Sequence, residues 1–247
     1  MLNEQQPAIK IIYNNLCSAN RNNYRADHGF SAWIEFDSWN IMFDTGGDSS
    51  LLMYNLSAAG IEAAEPDIIV ISHNHWDHVY GLPGILKATN NKPVVYLPLD
   101  SGSKINAQYP SMKYVEITEP REIIKNIWII SPMPAEYKHT SFNEQSLVLT
   151  TGEKLFVFVG CSHPGIDRIT AKISDLFPGK QIENLIGGFH LNSKSESEVK
   201  NISDELKRLG VKNISPSHCT GQAAIELLRK EWGSNFIQLF LGDELKF

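Results

Sequence analysis

The sequence predicts an α/β protein built as a four-layer αββα sandwich: two mixed β-sheets flanked by helices, in a single domain over residues 1–247. Three observations predict it. Both halves of the chain run strands first and helices later, the helical stretches are apolar on one face only, and no low-complexity linker divides the chain. Helices with a single apolar face need sheets to cover.

The elements follow in order. "GFSAWIEF" and "WNIMFDTGG" are short apolar runs parted by Asp37 and Ser38, which predicts a hairpin. A helix over 49–59, closed by Gly60, leads into "DIIVIS", too short for a typical helix and rich in β-branched residues, hence a buried strand. "PVVYLPL", "KYVEIT" and "NIWIIS" read as further strands, and the polar stretch 100–109 as loop. In the second half, "SLVLTTGEKLFVFVG" is a strand pair turning at Thr151 and Gly152. Ile166, Ile169, Ile173 and Leu176 then line a helical face stopped by Pro178 and Gly179. Val199, Ile202, Leu206 and Leu209 line another, with Ser195 and Glu198 as a capping box and Gly210 after its end. A third helix over 221–232 and a closing strand complete the chain.

Composition narrows the function. Hydrophobic residues make up 42% and charged residues 20%, as in ordinary soluble proteins. The net charge is −6 with both signs interspersed, and no Lys/Arg block marks a nucleic-acid footprint, so no nucleic-acid partner is expected. No apolar stretch approaches membrane-spanning length and "MLNEQQPAIKIIYNN" has no apolar leader core, so no membrane partner and a cytoplasmic location are expected. The three cysteines Cys17, Cys161 and Cys219 cannot form a disulfide framework; two of them stand beside histidines, in "GCSHPG" and "PSHCTG".

The chemistry concentrates in "VISHNHWDHVYGLPG". A strand ending at Ser72 delivers His73 and His75 to the same side of an extended chain, since side chains alternate with period two. Asp77 and His78 follow in the turn, before "GLPG" opens a helix. Imidazole and carboxylate together suit Zn, Fe, Mn or similar divalent ions, and an i, i+2 histidine pair can chelate one ion.

His73-Asn74-His75-Trp76-Asp77-His78 resembles the H-x-H-x-D-H motif of the metallo-β-lactamase superfamily, and "FDTGG" with Asp44 resembles its first motif. The combination "GCSHPGI", "GGFHL" and "SHCTG" resembles the branch of the dihydropterin–ribofuranosylaminobenzene 5′-phosphate synthases of methanopterin biosynthesis. The resemblance implies two divalent transition-metal ions, Zn first and Fe or Mn as alternatives. One would take His73, His75 and His163, the other Asp77, His78 and His218, with Asp44 orienting a ligand histidine. Most members bridge the metals with the aspartate of a Gly-Asp pair, where this chain has Gly160-Cys161. Cys161 therefore rivals His163 as ligand, as do His139 and Glu144 in "KHTSFNEQ".

Asp77 and His190 are the candidate catalytic residues. His190, beside two glycines in "GGFHL" that would let a substrate approach the backbone, is one source of a leaving-group proton; His28 in "HGFS" and a metal-bound water are others. The resemblance implies either a hydrolase using metal-activated water on a small ester or phosphoester, or a condensation in which pyrophosphate leaves a pterin. A metal-holding redox or binding module is a third reading. The expected partner is a small molecule, with phosphorylated ones among the candidates; Lys138 and Arg168 are the cations nearest the motifs in sequence.

Overall fold

The structure, a computed structural model, describes residues 6–63, 65–90 and 92–246. Its elements run β1 (Ala8–Tyr13), β2 (Ser31–Phe36), β3 (Trp39–Phe43), α1 (Ser49–Ala58), β4 (Ile68–Val70), α2 (Trp76–Val79), α3 (Leu82–Ala88), β5 (Val94–Pro98), α4 (Gly102–Asn106) and β6 (Tyr114–Ile117). They continue with β7 (Arg121–Ile124), β8 (Ile127–Tyr137), β9 (Thr140–Thr151), β10 (Lys154–Val159), α5 (Ile166–Leu176), β11 (Gln181–Gly188), α6 (Glu196–Arg208), β12 (Asn213–Ser217), α7 (Gln222–Trp232) and β13 (Glu244–Lys246). The chain divides into two compact units, one running to Glu119 and taking back the residues from Phe240, the other spanning Pro120–Leu239.

The first unit holds a seven-stranded sheet in the order β13-β1-β2-β3-β4-β5-β6. The predicted hairpin is there: β2 pairs antiparallel with β3, and Asp37 takes a positive φ of 52° in the turn. The sheet becomes parallel from β3 to β6, which needs crossovers, and α1, α3 and α4 supply them. Leu52 and Leu56 of α1, Ile85 and Leu86 of α3 and Ile105 of α4 pack on Met42, Ile69, Val95 and Leu97. Alternate residues of the same strands, among them Ile41, Phe43, Ile68 and Val70, are also buried, so both faces of this sheet are apolar. The stretch 100–109 was expected as loop, but Gly102–Asn106 is a helical turn, and buried Ile105 is the apolar anchor inside its polar run.

The second unit holds a six-stranded sheet in the order β12-β11-β10-β9-β8-β7. Strands β10, β11 and β12 are parallel to one another and the others antiparallel. Between the parallel strands, α5 lays Ile166, Ile169 and Ile173 on the sheet, while Leu176, expected on that face, is 43% exposed at the helix end. Helix α6 begins with the predicted capping box: Glu198 N donates to Ser195 Oγ and the Glu198 carboxylate accepts from Ser195 N. Each fully buried Ile or Leu of these faces is worth about 1.5–3 kcal/mol of transfer free energy. Both sheets are mixed and flanked by helices, the fold class the sequence predicts. No helix among the described residues is long and apolar enough to cross a membrane.

Candidate metal centre

In the first unit the site grows from the parallel junction of β3 and β4. Asp44 follows β3 at a positive φ of 57°, and its N–H still pairs with Val70 O at 2.8 Å. This turn aims the carboxylate back across the ends of both strands. Asp44 Oδ1 accepts from Ser72 N at 2.6 Å, and Oδ2 accepts from Ser72 Oγ at 2.7 Å and from His78 Nδ1 at 2.7 Å. Asp44, Ser72, His73 and His78 are all completely buried.

This network assigns protons. A carboxylate only accepts, so His78 carries its proton on Nδ1 and keeps a lone pair on Nε2. The Ser72 hydroxyl spends its one O–H on a hydrogen bond to Asp44, so His73 Nδ1–H donates to Ser72 Oγ across 2.9 Å. In His73 too, Nε2 is therefore the unprotonated ring nitrogen. One buried aspartate sets the tautomer of both histidines.

His73 Nε2 lies 3.0 Å from His75 Nδ1. Two imidazole nitrogens meet at that distance only with a proton between them or a cation beside them. Asp77, on the single-turn helix α2 rather than in an open turn, stands with Oδ2 3.8 Å from His78 Nε2. These donors fit a divalent ion: the nitrogens are oriented through their far ring atoms, as metal-ligating histidines are, and a carboxylate accompanies them.

His28 enters the same network from the loop before β2. Gly29 N donates to Asn15 Oδ1 at 3.0 Å, which turns the Asn15 NH2 toward His28 Nδ1 at 3.2 Å. An NH2 can only donate, so His28 Nδ1 is the acceptor and Nε2 holds the proton. That Nε2 sits 3.1 Å from Asp77 Oδ2. Its ring stacks on Trp76 with centroids 5.6 Å apart. Gly29 permits this approach: at φ 146° a Cβ there would fall 2.6 Å from Asp77 O. The sequence offers His28 as one source of a leaving-group proton; the geometry makes it a support of Asp77.

Beneath the same loop lies Tyr13, completely buried, its ring so close to Gly46 that a Cβ there would meet it at 2.3 Å. Burial, helped by the negative charges of Asp27, Asp48 and Asp77, pushes its phenol up to about 12 against the lowering effect of the nearby Gly47 N–H.

In the second unit the motif residues follow the ends of the three parallel strands. After β10, buried Glu144 of β9 holds the loop: Oε1 accepts from Cys161 N at 3.0 Å and Ser162 N at 2.7 Å, and Oε2 from His163 N at 2.8 Å. Glu144 is thus a loop anchor. The other rival, His139, is exposed at the tip of the β8–β9 hairpin, where Lys138 and His139 both take positive φ. The His163 ring lies 4.3 Å from His190, 5.2 Å from Tyr137 and 5.1 Å from Phe142, centroid to centroid. His218 is buried at the start of a 3-10 turn, His218–Thr220.

The two glycines of "GGFHL" were expected to admit a substrate. They admit protein atoms: a Cβ at Gly187 would sit 1.9 Å from Val159 O, and one at Gly188 2.6 Å from Cys219 Sγ. Cys219 also points at Cys161 O, 3.5 Å away. Burial works to raise its thiol pKa, but hydrogen bonds from Cys161 and His190 and the nearby imidazoles of His218 and His190 outweigh it and hold it well below the ordinary value. Asp44, Ser162, His190 and His218 all sit at positive φ, which costs on the order of 1 kcal/mol each. Such strain collects where a site demands a particular direction of side chain or backbone.

The chain is similar to known proteins over most of its length. The family model described as the metallo-beta-lactamase superfamily matches residues 24–218. The chain is 27% identical to the 7,8-dihydropterin-6-methyl-4-(β-D-ribofuranosyl)-aminobenzene-5′-phosphate synthase of Methanocaldococcus jannaschii, over 90% of each chain. It is 29% identical to an uncharacterised protein of the same organism, over 95% of this chain and 98% of that one. Among solved structures it is similar to Tm1679, described as a metal-dependent hydrolase of the β-lactamase superfamily, with a TM-score of 0.80 and 26% identity over 98% of this chain and 99% of that one.

Proposed function

Because the chain belongs to the metallo-β-lactamase superfamily, we propose that it is a metal-dependent hydrolase acting on a small ester or phosphoester. The observation that carries the proposal is the Asp44 network, which puts the ring proton of both His73 and His78 on Nδ1 and so makes Nε2 the ligand-type nitrogen of each. Divalent cations held by such ligands supply Lewis-acid polarisation of a carbonyl or phosphoryl oxygen and acidify water. Zn is the first choice of metal. His163 and His218, expected as further ligands in a two-metal set, belong to the proposal and are tested by metal counts in their alanine variants.

The other residues have separable tasks. Asp44 and Ser72 orient histidines. His28 holds Asp77 Oδ2 and so fixes the rotation of the carboxylate. Because the Nε2 proton of His28 is committed to Asp77, His190 is the better source of a proton for the leaving group. Lys138 Nζ lies 5.1 Å from the centre of the Tyr137 ring, and that ring contacts both His163 and His190, so a cation stands close to a phosphate-bearing substrate there.

The second reading is a condensation that expels pyrophosphate, and the similarity to the synthase over 90% of both chains favours it. One experiment separates the two. Protein purified without oxygen is stripped of metal, reloaded with Zn, Mn or Fe, and assayed on ester and phosphodiester panels and, separately, for pyrophosphate release from a pterin diphosphate with an aryl acceptor. Metal-restored turnover on the panels supports hydrolysis. Pyrophosphate release that depends on the acceptor replaces it with the condensation.

A further inference from the structure

Strands β10, β11 and β12 lie side by side and parallel, and each is followed, two residues past its last residue, by a soft or borderline metal donor: Cys161 after Val159, His190 after Gly188, Cys219 after Ser217. We propose that these three side chains form a thiolate-rich cation site of the second unit. One ligand atom from each lies within 4.8 Å of the other two, Cys161 is buried, and no cysteine of the chain is in a disulfide. The site does not depend on the hydrolase reading, and a cation held by His190 would leave the leaving-group proton to another donor.

The backbone is shaped to make this meeting. Only glycine fits at 188, where a Cβ would be 2.6 Å from Cys219 Sγ and 2.5 Å from Gly160 O. His190 itself and the residues beside both cysteines, Ser162 and His218, are at positive φ. Strain at three consecutive strand ends, converging on two sulfurs and a nitrogen, is more than packing of thiols requires. Tetrahedral coordination at about 2.3 Å to sulfur and about 2.0 Å to nitrogen places donors roughly 3.5–3.8 Å apart. Closing to that spacing asks for at most about 1 Å of contraction, within reach of side-chain rotation. Two thiolates and an imidazole select Zn, Fe(II) or Cu(I) over Mg or Ca, and three protein ligands leave a fourth position open to an exchangeable ligand.

The test is reconstitution of the metal-free full chain with Co(II) under anaerobic conditions. A thiolate-to-cobalt charge-transfer band is expected. Cys219→Ser and His190→Ala should each lose one equivalent of bound cation, Cys219→Ser with most of the band, while the remaining equivalents stay. A band and a metal count unchanged in both variants overturn the site, as does loss confined to Cys161→Ser, which would place that thiolate with other ligands. A measurement on the unaltered protein guards against misfolded variants. Added Zn should shield Cys161 and Cys219 from alkylation at least tenfold and leave Cys17 as reactive as before; equal reactivity with and without Zn also overturns it.

Discussion

Asp44 Oδ2 accepts a hydrogen bond from His78 Nδ1 at 2.7 Å, and both side chains are wholly buried. The same carboxylate reaches His73 through Ser72 Oγ, so a single group governs two histidines. Asp44→Asn cannot serve both: whichever way its amide turns, one partner meets a donor or a weaker acceptor. Metal affinity should fall about 10–100-fold, the usual effect of losing the group that orients a ligand histidine. Ser72→Ala should weaken binding less, because only His73 loses its partner. Isothermal titration of the stripped protein measures both; unchanged affinity in Asp44→Asn would remove the orienting role.

The Asn15–His28–Asp77 chain makes a second expectation. With its Nε2–H on Asp77 Oδ2, His28 fixes the carboxylate's rotation without binding metal. His28→Ala should lower metal affinity about tenfold or more, and His28→Gln, which can still donate, should recover most of it. Asn15→Leu should behave as a milder His28→Ala, since the ring keeps its place but loses the donor that fixes its tautomer. A purely structural histidine would give Ala and Gln variants with equal affinity.

The rival readings of Glu144 separate cleanly. As a loop anchor, its carboxylate holds three backbone N–H groups after β10. Glu144→Gln turns an NH2 toward one of them, and hydrogen bonds to a charged group are worth about 1.5–3 kcal/mol. A loss of about 2–3 kcal/mol in urea unfolding, at unchanged denaturant slope, is expected. A Glu144→Gln protein of native stability that binds one metal fewer would make Glu144 a ligand after all. His139→Ala, at an exposed hairpin tip, should leave stability and metal content alone.

How much of this was legible in the sequence depended on distance along the chain. The hairpin of β2 and β3 and the capping box at Ser195 and Glu198 are local patterns, and each is found where its residues predict it, whereas Asp77 and His78, expected in a turn, lie on the single-turn helix α2. Strand β1 was not foreseen, because its partner β13 lies at the far end of the chain, with Ala8 opposite Lys246. The helical turn at 102–106 was hidden by polar residues around a single buried isoleucine. His28 in "HGFS" offers itself as a proton source, but its hold on Asp77 is not legible: its partners are 13 and 49 residues away, and no periodicity couples such positions. The two glycines were read correctly as sites of close approach, yet what approaches is a carbonyl and a thiol from neighbouring strand ends.

Tyr13 supplies the pH dependence. Its phenol is raised to about 12 by burial and by Asp27, Asp48 and Asp77, while in the unfolded chain it titrates near the ordinary value of about 10. The folded state therefore holds this proton more tightly than the unfolded state does. The corresponding stability is fully present below about pH 10 and is lost as pH rises through about 12. Other tyrosines also lose protons in that range, so the comparison is with Tyr13→Phe, in which only this contribution is missing. Between about pH 10 and 12 the native protein should lose stability more steeply than the variant, and the variant's phenolate absorbance should lack the last-titrating component. Parallel pH–stability curves for the two proteins would show that the ring under Gly46 and Gly47 is not held in its neutral form by the fold.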